Sequence, residues 1–153
     1  MKRQRLFTRN FTLLILGQVT SLIGNYSLKF ALSMYILEMT GSAAVFSGML
    51  ALSMVPTILL SPFGGILADR GNRRKIMVTL DTLSGIVVLS GMVCFREGWE
   101  LAAAGGILIV LSVLGAFESP TVQACVPQML SGDLLLKGNA AVSQVQALAA
   151  LFT

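Results

Sequence analysis

Long apolar runs recur along this chain at intervals that a bilayer explains and a small soluble core does not. A helix crossing the hydrocarbon needs roughly 20 apolar residues at about 1.5 Å of rise each. Four stretches meet that need: 11–37, 43–68, 76–95 and 101–123. A further run over 138–153 reads as the start of a fifth. The expected fold is therefore an all-α membrane protein with four complete transmembrane helices and part of another. Composition agrees: hydrophobic residues make up 55% of the 153 and charged residues 12%, about half the charge share of a soluble domain. A chain this short cannot hide so much apolar surface in one core of its own, whereas lipid leaves the outer faces without need of polar cover.

Basic residues fix the expected orientation. Lys2, Arg3, Arg5 and Arg9 lie in the basic segment 1–10, and Arg70, Arg73, Arg74 and Lys75 lie between the second and third runs. With Lys137 these fall on one side; Arg96 falls on the other, and Lys29 lies within the first run. The positive-inside rule places the first group in the cytoplasm and makes this a multi-pass protein of the cell or inner membrane. The first run is too long for a signal-peptide core of roughly 7–15 residues, so it reads as a retained span. The net charge of +4 does not indicate nucleic acid, because the basic residues sit at span ends and form no stripe with stacking aromatics. The expected partner of these apolar runs is membrane lipid.

Polar residues within the runs are the candidate site. Gln18, Ser21, Asn25 and Lys29 share one helix face, within an arc of roughly 80°. Against lipid tails such a stripe is costly, so it should face other helices or a water-filled cavity. Inter-helix hydrogen bonding is one reading and a substrate-facing wall the other; Lys29, about 27 Å along from Phe11, could also snorkel to the outer interface. Thr20 and Ser27 lie off the stripe, where a hydroxyl can bond its own backbone. Two acids, Asp81 and Glu118, sit in apolar surroundings near the inner face. Ion pairs with Arg70, Arg73, Arg74 or Lys75 are the leading expectation for both, with proton coupling as the alternative.

Packing signals are also present. Ser53, Thr57, Ser61 and Gly65 form a ridge of small residues at four-residue spacing, with Gly64 and Ala68 as a second small pair. Gly105, Ser112, Gly115 and Ser119 repeat the pattern in the fourth run. Pro56 and Pro62 interrupt helix hydrogen bonding in the second run. Pro127 is assigned to a loop, Asp133 to the N-cap of a helix opening at Leu134, and Trp99 to an interfacial anchor. Cys94 and Cys125 are expected at opposite membrane faces, which argues against a mutual disulfide. Histidine is absent, and no metal-ligand cluster, cofactor motif or nucleophile–base set is evident, so neither a metal site nor an enzyme is expected.

The segment Gly65-Ile66-Leu67-Ala68-Asp69-Arg70-Gly71-Asn72-Arg73-Arg74-Lys75 resembles the G-x-L-A-D-R-x-G-R-K signature between the second and third helices of the major facilitator superfamily. Gly65, Leu67, Ala68, Asp69, Arg70 and Arg73 match, Arg74 keeps a cation in place of lysine, and Asn72 replaces the second glycine. Gly71 and Asn72 both tolerate left-handed geometry, so a tight helix stop is expected there. Arg9 to Gly24, Gly115 to Pro120, Pro127 and Gly138-Asn139-Ala140 resemble the drug and siderophore exporter branch, the macrolide-efflux and enterobactin-exporter-like proteins. Relatives carry an acid where this chain has Asn25.

The resemblance implies a secondary transporter working by alternating access, built of two six-helix halves of inverted repeats. It implies that Gly65, Asp69, Arg70, Arg73 and Arg74 belong to a cytoplasmic gate engaging the other half. The chain would be the amino-terminal portion of that transporter, truncated at Thr153 and lacking its carboxy-terminal half. Alone it is expected to transport nothing. A small dimeric four-helix exporter is a second reading, disfavoured because such exporters need a glutamate in the first helix, where this chain has Lys29 and no acid before Glu38. A non-transporting membrane subunit is a third.

Overall fold

The computed structural model describes residues 8–95 and 98–151. Lys2, Arg3, Arg5, the Arg96–Glu97 turn and the side chain of Cys94 lie outside that set. Regular structure among the described residues is helical throughout: α1 (Arg9–Thr40), α2 (Ala43–Arg70), α3 (Arg73–Cys94), α4 (Glu100–Met129) and α5 (Asp133–Ala150). Three of these, α1, α2 and α4, are long and apolar enough to cross a membrane.

Capping chemistry sets the helix limits and extends several beyond the apolar runs. Thr8 accepts a hydrogen bond from the Phe11 N–H at the start of α1. Glu38 to Thr40, beyond the first apolar run, complete α1, and Gly41 (φ 59°) ends it by donating to the Leu37 carbonyl at 2.8 Å. Ser42 then caps α2 through the Val45 N–H. Asn72 does the same for α3, accepting from the Lys75 N–H at 3.2 Å. The left-handed stop expected at Gly71 and Asn72 does not occur: φ is −98° at Gly71 and −76° at Asn72. Gly71 is needed for space, since a Cβ there would lie 2.7 Å from Ile76 Cδ1 and 2.9 Å from the Leu67 carbonyl.

Two further boundaries correct the sequence reading. Pro127 lies inside α4, which runs on to Met129. A proline removes one N–H but leaves most of the helix ladder intact, and neighbouring helices support it. The cap of α5 is Gly132 (φ 59°), with Asp133 in the first turn, where its charge suits the helix dipole. The α5 helix opens at Asp133, one residue before the expected opening at Leu134.

α4 is the hub of the bundle, packed by α2, α3, α1 and α5. Against α2 it runs parallel: Met49 meets Gly105, the Thr57 hydroxyl donates to the Ser112 carbonyl at 3.2 Å, and Gly64 meets Ala116 and Pro120. Gly64 is the tightest point, because a Cβ there would sit 2.7 Å from the Ala116 carbonyl oxygen. Ala68 and Ser53 are buried on the same side, while Ser61 is exposed and nothing approaches Gly65. The close approach therefore uses the second small pair, Gly64 and Ala68, more than the Ser61–Gly65 end of the ridge. Outward faces carry exposed Ile58, Leu59, Phe63, Leu89 and Val93, as a lipid-facing surface requires.

Two apolar clusters hold α1 antiparallel to α4. Phe11 and Leu14 pack on Val122, Cys125, Val126 and Leu130, joined by Val142 of α5. Leu32 and Ile36 pack on Ala104 and Leu108 at the other end. On α1 the residues between these clusters are Gln18, Ser21, Asn25 and Lys29, so the polar stripe occupies the middle of the seam.

Candidate functional site: a polar layer between two apolar clusters

All four stripe residues meet polar partners or a shared cavity. Glu118, the one buried charged side chain among the described residues at 8% exposure, projects from α4 toward α1. Its Oε1 accepts from the Ser21 hydroxyl at 2.8 Å and its Oε2 from the Asn25 amide at 3.4 Å. The same Ser21 oxygen lies 3.1 Å from Oδ1 of Asp81, reaching in from α3. The two acids thus share one hydroxyl. The expected ion pairs with the basic loop are not formed: the salt bridge among the described residues joins Arg73 to Asp69. The α1 stripe reaches the acids first because it lies across the seam from Glu118, whereas the loop arginines sit at the bundle's end.

A cavity of about 260 Å³ opens beside Glu118 and is lined by Gln18, Asn25, Tyr26, Lys29, Ser119 and Gln146, among others. Lys29 faces this cavity, where its charge acts on Glu118 without closing to an ion pair. Gln18 is 2% exposed, yet neither its amide nitrogen nor its carbonyl oxygen has a hydrogen-bond partner. Such an orphan is costly unless something in the cavity satisfies it. Asp81 lies outside this cavity, in two open grooves, one between α1 and α3 and one beside Arg73 and Arg74.

Tyr26 and Gln146 were not singled out from the sequence. Gln146 was findable as an amide within an apolar helix; it donates to Ser119 at 3.4 Å. Thr20 bonds its own turn at the Leu16 carbonyl, as its off-stripe position implies.

The gate segment forms a compact corner at the end of α2. The Arg73 guanidinium donates from Nε to the Ala68 carbonyl at 2.8 Å, satisfying an orphan at the helix terminus. Its other end lies 3.7 Å from Asp69, a loose contact in which Asp69 is 76% exposed and Arg73 16%. Among the described residues, no side-chain hydrogen bond or ion pair joins Gly65, Arg70 or Arg74 to this pair. Among the described residues there is no group of histidine, cysteine and acidic side chains placed to hold a metal.

An apolar helical bundle with one acid, several amides and a lysine arranged around a cavity is an architecture suited to a polytopic transport protein. The chain belongs to the transmembrane secretion effector family of the major facilitator superfamily, which it matches from residue 5 to residue 147. It is similar to macrolide efflux protein A of Streptococcus pyogenes, with 32% identity over 124 residues, 79% of this chain and 30% of that protein. The same protein from the serotype M6 strain gives the same identity and coverage. The chain thus spans less than a third of the length of the curated relatives it matches. No solved structure matches it.

Proposed function

We propose that this chain is the amino-terminal part of an efflux transporter that moves a drug-like or siderophore-like small molecule by alternating access. The observation that carries this reading is the polar layer: Gln18, Asn25, Lys29 and Glu118 surround a cavity inside an otherwise apolar bundle. Intramembrane ionisable groups are expensive and mark substrate or ion pathways. The chain's coverage of 30% of macrolide efflux protein A supports a place within a longer transporter.

In this reading α3 is the fourth crossing. Its 22 residues span about 33 Å, matching a hydrocarbon core of about 30 Å, and its outer face carries exposed Leu89 and Val93. The amino terminus and the α2–α3 loop lie in the cytoplasm, where the Asp69–Arg73 corner serves as a gate. Asp69 is loosely held and exposed, as a group that exchanges partners between the two halves must be.

Transport in vesicles tests the proposal. Residues 1–153 alone should give no saturable macrolide efflux, and a chimera carrying them in place of the matching segment of macrolide efflux protein A should restore it. Saturable efflux by the short chain alone would overturn the reading in favour of the small dimeric exporter, which crosslinking to a functional dimer would identify. A chimera that reaches the membrane, folds and fails to transport would favour a non-transporting subunit.

A further inference from the structure

Ser21 has one hydroxyl hydrogen and two carboxylates on its oxygen: Glu118 Oε1 at 2.8 Å and Asp81 Oδ1 at 3.1 Å. A hydroxyl donates once, and an ionised carboxylate can only accept. If both acids were ionised, one of the two contacts would bring oxygens together with no hydrogen between them, beside a second like charge. The arrangement is satisfied when one carboxyl carries a proton and donates to Ser21, while Ser21 donates to the other.

We propose that Asp81, Ser21 and Glu118 hold one shared proton and pass it between two separate spaces. Asp81 opens on the grooves along α1 and beside Arg73 and Arg74, whereas Glu118 opens on the internal cavity. Ser21 is the link between them. In the step, the Asp81 carboxyl gives its proton to the Ser21 oxygen as Ser21 gives its own hydrogen to Glu118. One O–H bond breaks and one forms at serine, and the negative charge moves from Glu118 to Asp81. The reverse step returns the proton.

The orphaned Gln18 amide supports the cavity end of this relay. It is almost wholly buried, unpartnered and faces the space into which Glu118 opens. The cavity of about 260 Å³, lined by polar side chains among apolar ones, has room for several waters, and Gln18 and Glu118 are the groups that would anchor them. The charged groups around the relay are Lys29 from α1 on the Glu118 side and Arg73 and Arg74 from α3 on the Asp81 side. From α2 and α5 the cavity receives the uncharged Thr57 and Gln146. The cations thus sit at both ends, where each favours the negative charge as it arrives.

This inference names a coupling device for the proposed transporter and rests on that reading for its purpose, but the shared proton itself is measurable without transport. Infrared spectroscopy of the whole chain in lipid nanodiscs at mildly alkaline pH reads the protonated-carboxyl C=O stretch, to which exposed, ionised acids do not contribute. The wild type should retain one such band. Asp81→Asn and Glu118→Gln should each abolish it, because the remaining carboxylate then accepts from Ser21 unopposed. Ser21→Ala should shift it, and Ser21→Thr, which keeps the hydroxyl, should restore the original position. No band in the wild type, as when a metal cation replaces the proton, overturns the proposal. A band that survives either acid's replacement, or ignores Ser21→Ala, also overturns it, since the proton then belongs to one acid by burial alone. An exporter lacking the band keeps its transport reading, and a chain showing the band without efflux keeps the relay.

Discussion

Gly64 and Gly65 are adjacent and chemically identical, yet the bundle uses them differently. A methyl group on Gly64 would press on the Ala116 carbonyl at 2.7 Å and on the Pro120 ring at 2.9 Å, whereas one on Gly65 would meet nothing. Backbone cannot give way as a flexible side chain does, so α2 must shift away from α4. Gly64→Ala should therefore destabilise the bundle by about 1–3 kcal/mol. Gly65→Ala should stabilise it by up to about 1 kcal/mol through helix propensity. Denaturant unfolding in mild detergent, followed by far-ultraviolet circular dichroism, compares the two; equal effects would show that the α2–α4 contact is looser than described.

At the level of whole elements, the α2–α3 corner depends on two adjacent side chains. Asn72 supplies the N-cap of α3, and the Arg73 guanidinium closes the end of α2 at Ala68. Two helices therefore stop and start within a few residues, with no left-handed residue needed. Replacing Asn72 by alanine should cost about 1 kcal/mol of local stability. Amide hydrogen exchange should quicken in the first turn of α3, at Lys75 and Ile76, and not in the middle of α4. Unchanged exchange at those amides would mean that the cap is dispensable. The α4 helix shows a different solution: it starts at Glu100 without a side-chain cap, and its packing against four neighbours holds it instead.

For the molecule as a whole, the proposal that α3 crosses alongside α1, α2 and α4 requires the α2–α3 loop and the α3–α4 turn to lie on opposite sides of the membrane. A cysteine placed at Asn72 and another at Gly98, in a background with Cys94 and Cys125 replaced by alanine, should react with an impermeant maleimide from opposite faces of sealed vesicles. Labelling from the same face would remove α3 from the set of crossings. The succession of helices was legible in the sequence because apolar runs and basic flanks are properties of single segments. The stripe from Gln18 to Lys29 was legible for the same reason, since helical periodicity alone puts those residues on one face. What they touch was not. Glu118 and Asp81 lie in other helices, and their meeting at Ser21 depends on how α1 and α3 lean on α4. Charge alone suggested the loop arginines as partners, but packing put a hydroxyl and an amide nearer. Helix ends were misjudged where hydropathy stopped before the hydrogen-bond ladder did, as at Pro127.

The contact between α2 and α4 has one more implication. Pro120 has no N–H, so the carbonyl four residues earlier, that of Ala116, loses its helical partner. That oxygen is the atom Gly64 faces. The close approach that Gly64 permits brings α2 against that uncovered oxygen, in place for a weak C–H···O contact. The glycine and the proline are therefore a matched pair on different helices. A variant that trades Pro120 for alanine regains the ladder bond and no longer depends on the contact, so Gly64→Ala should do less harm there than in the parent chain.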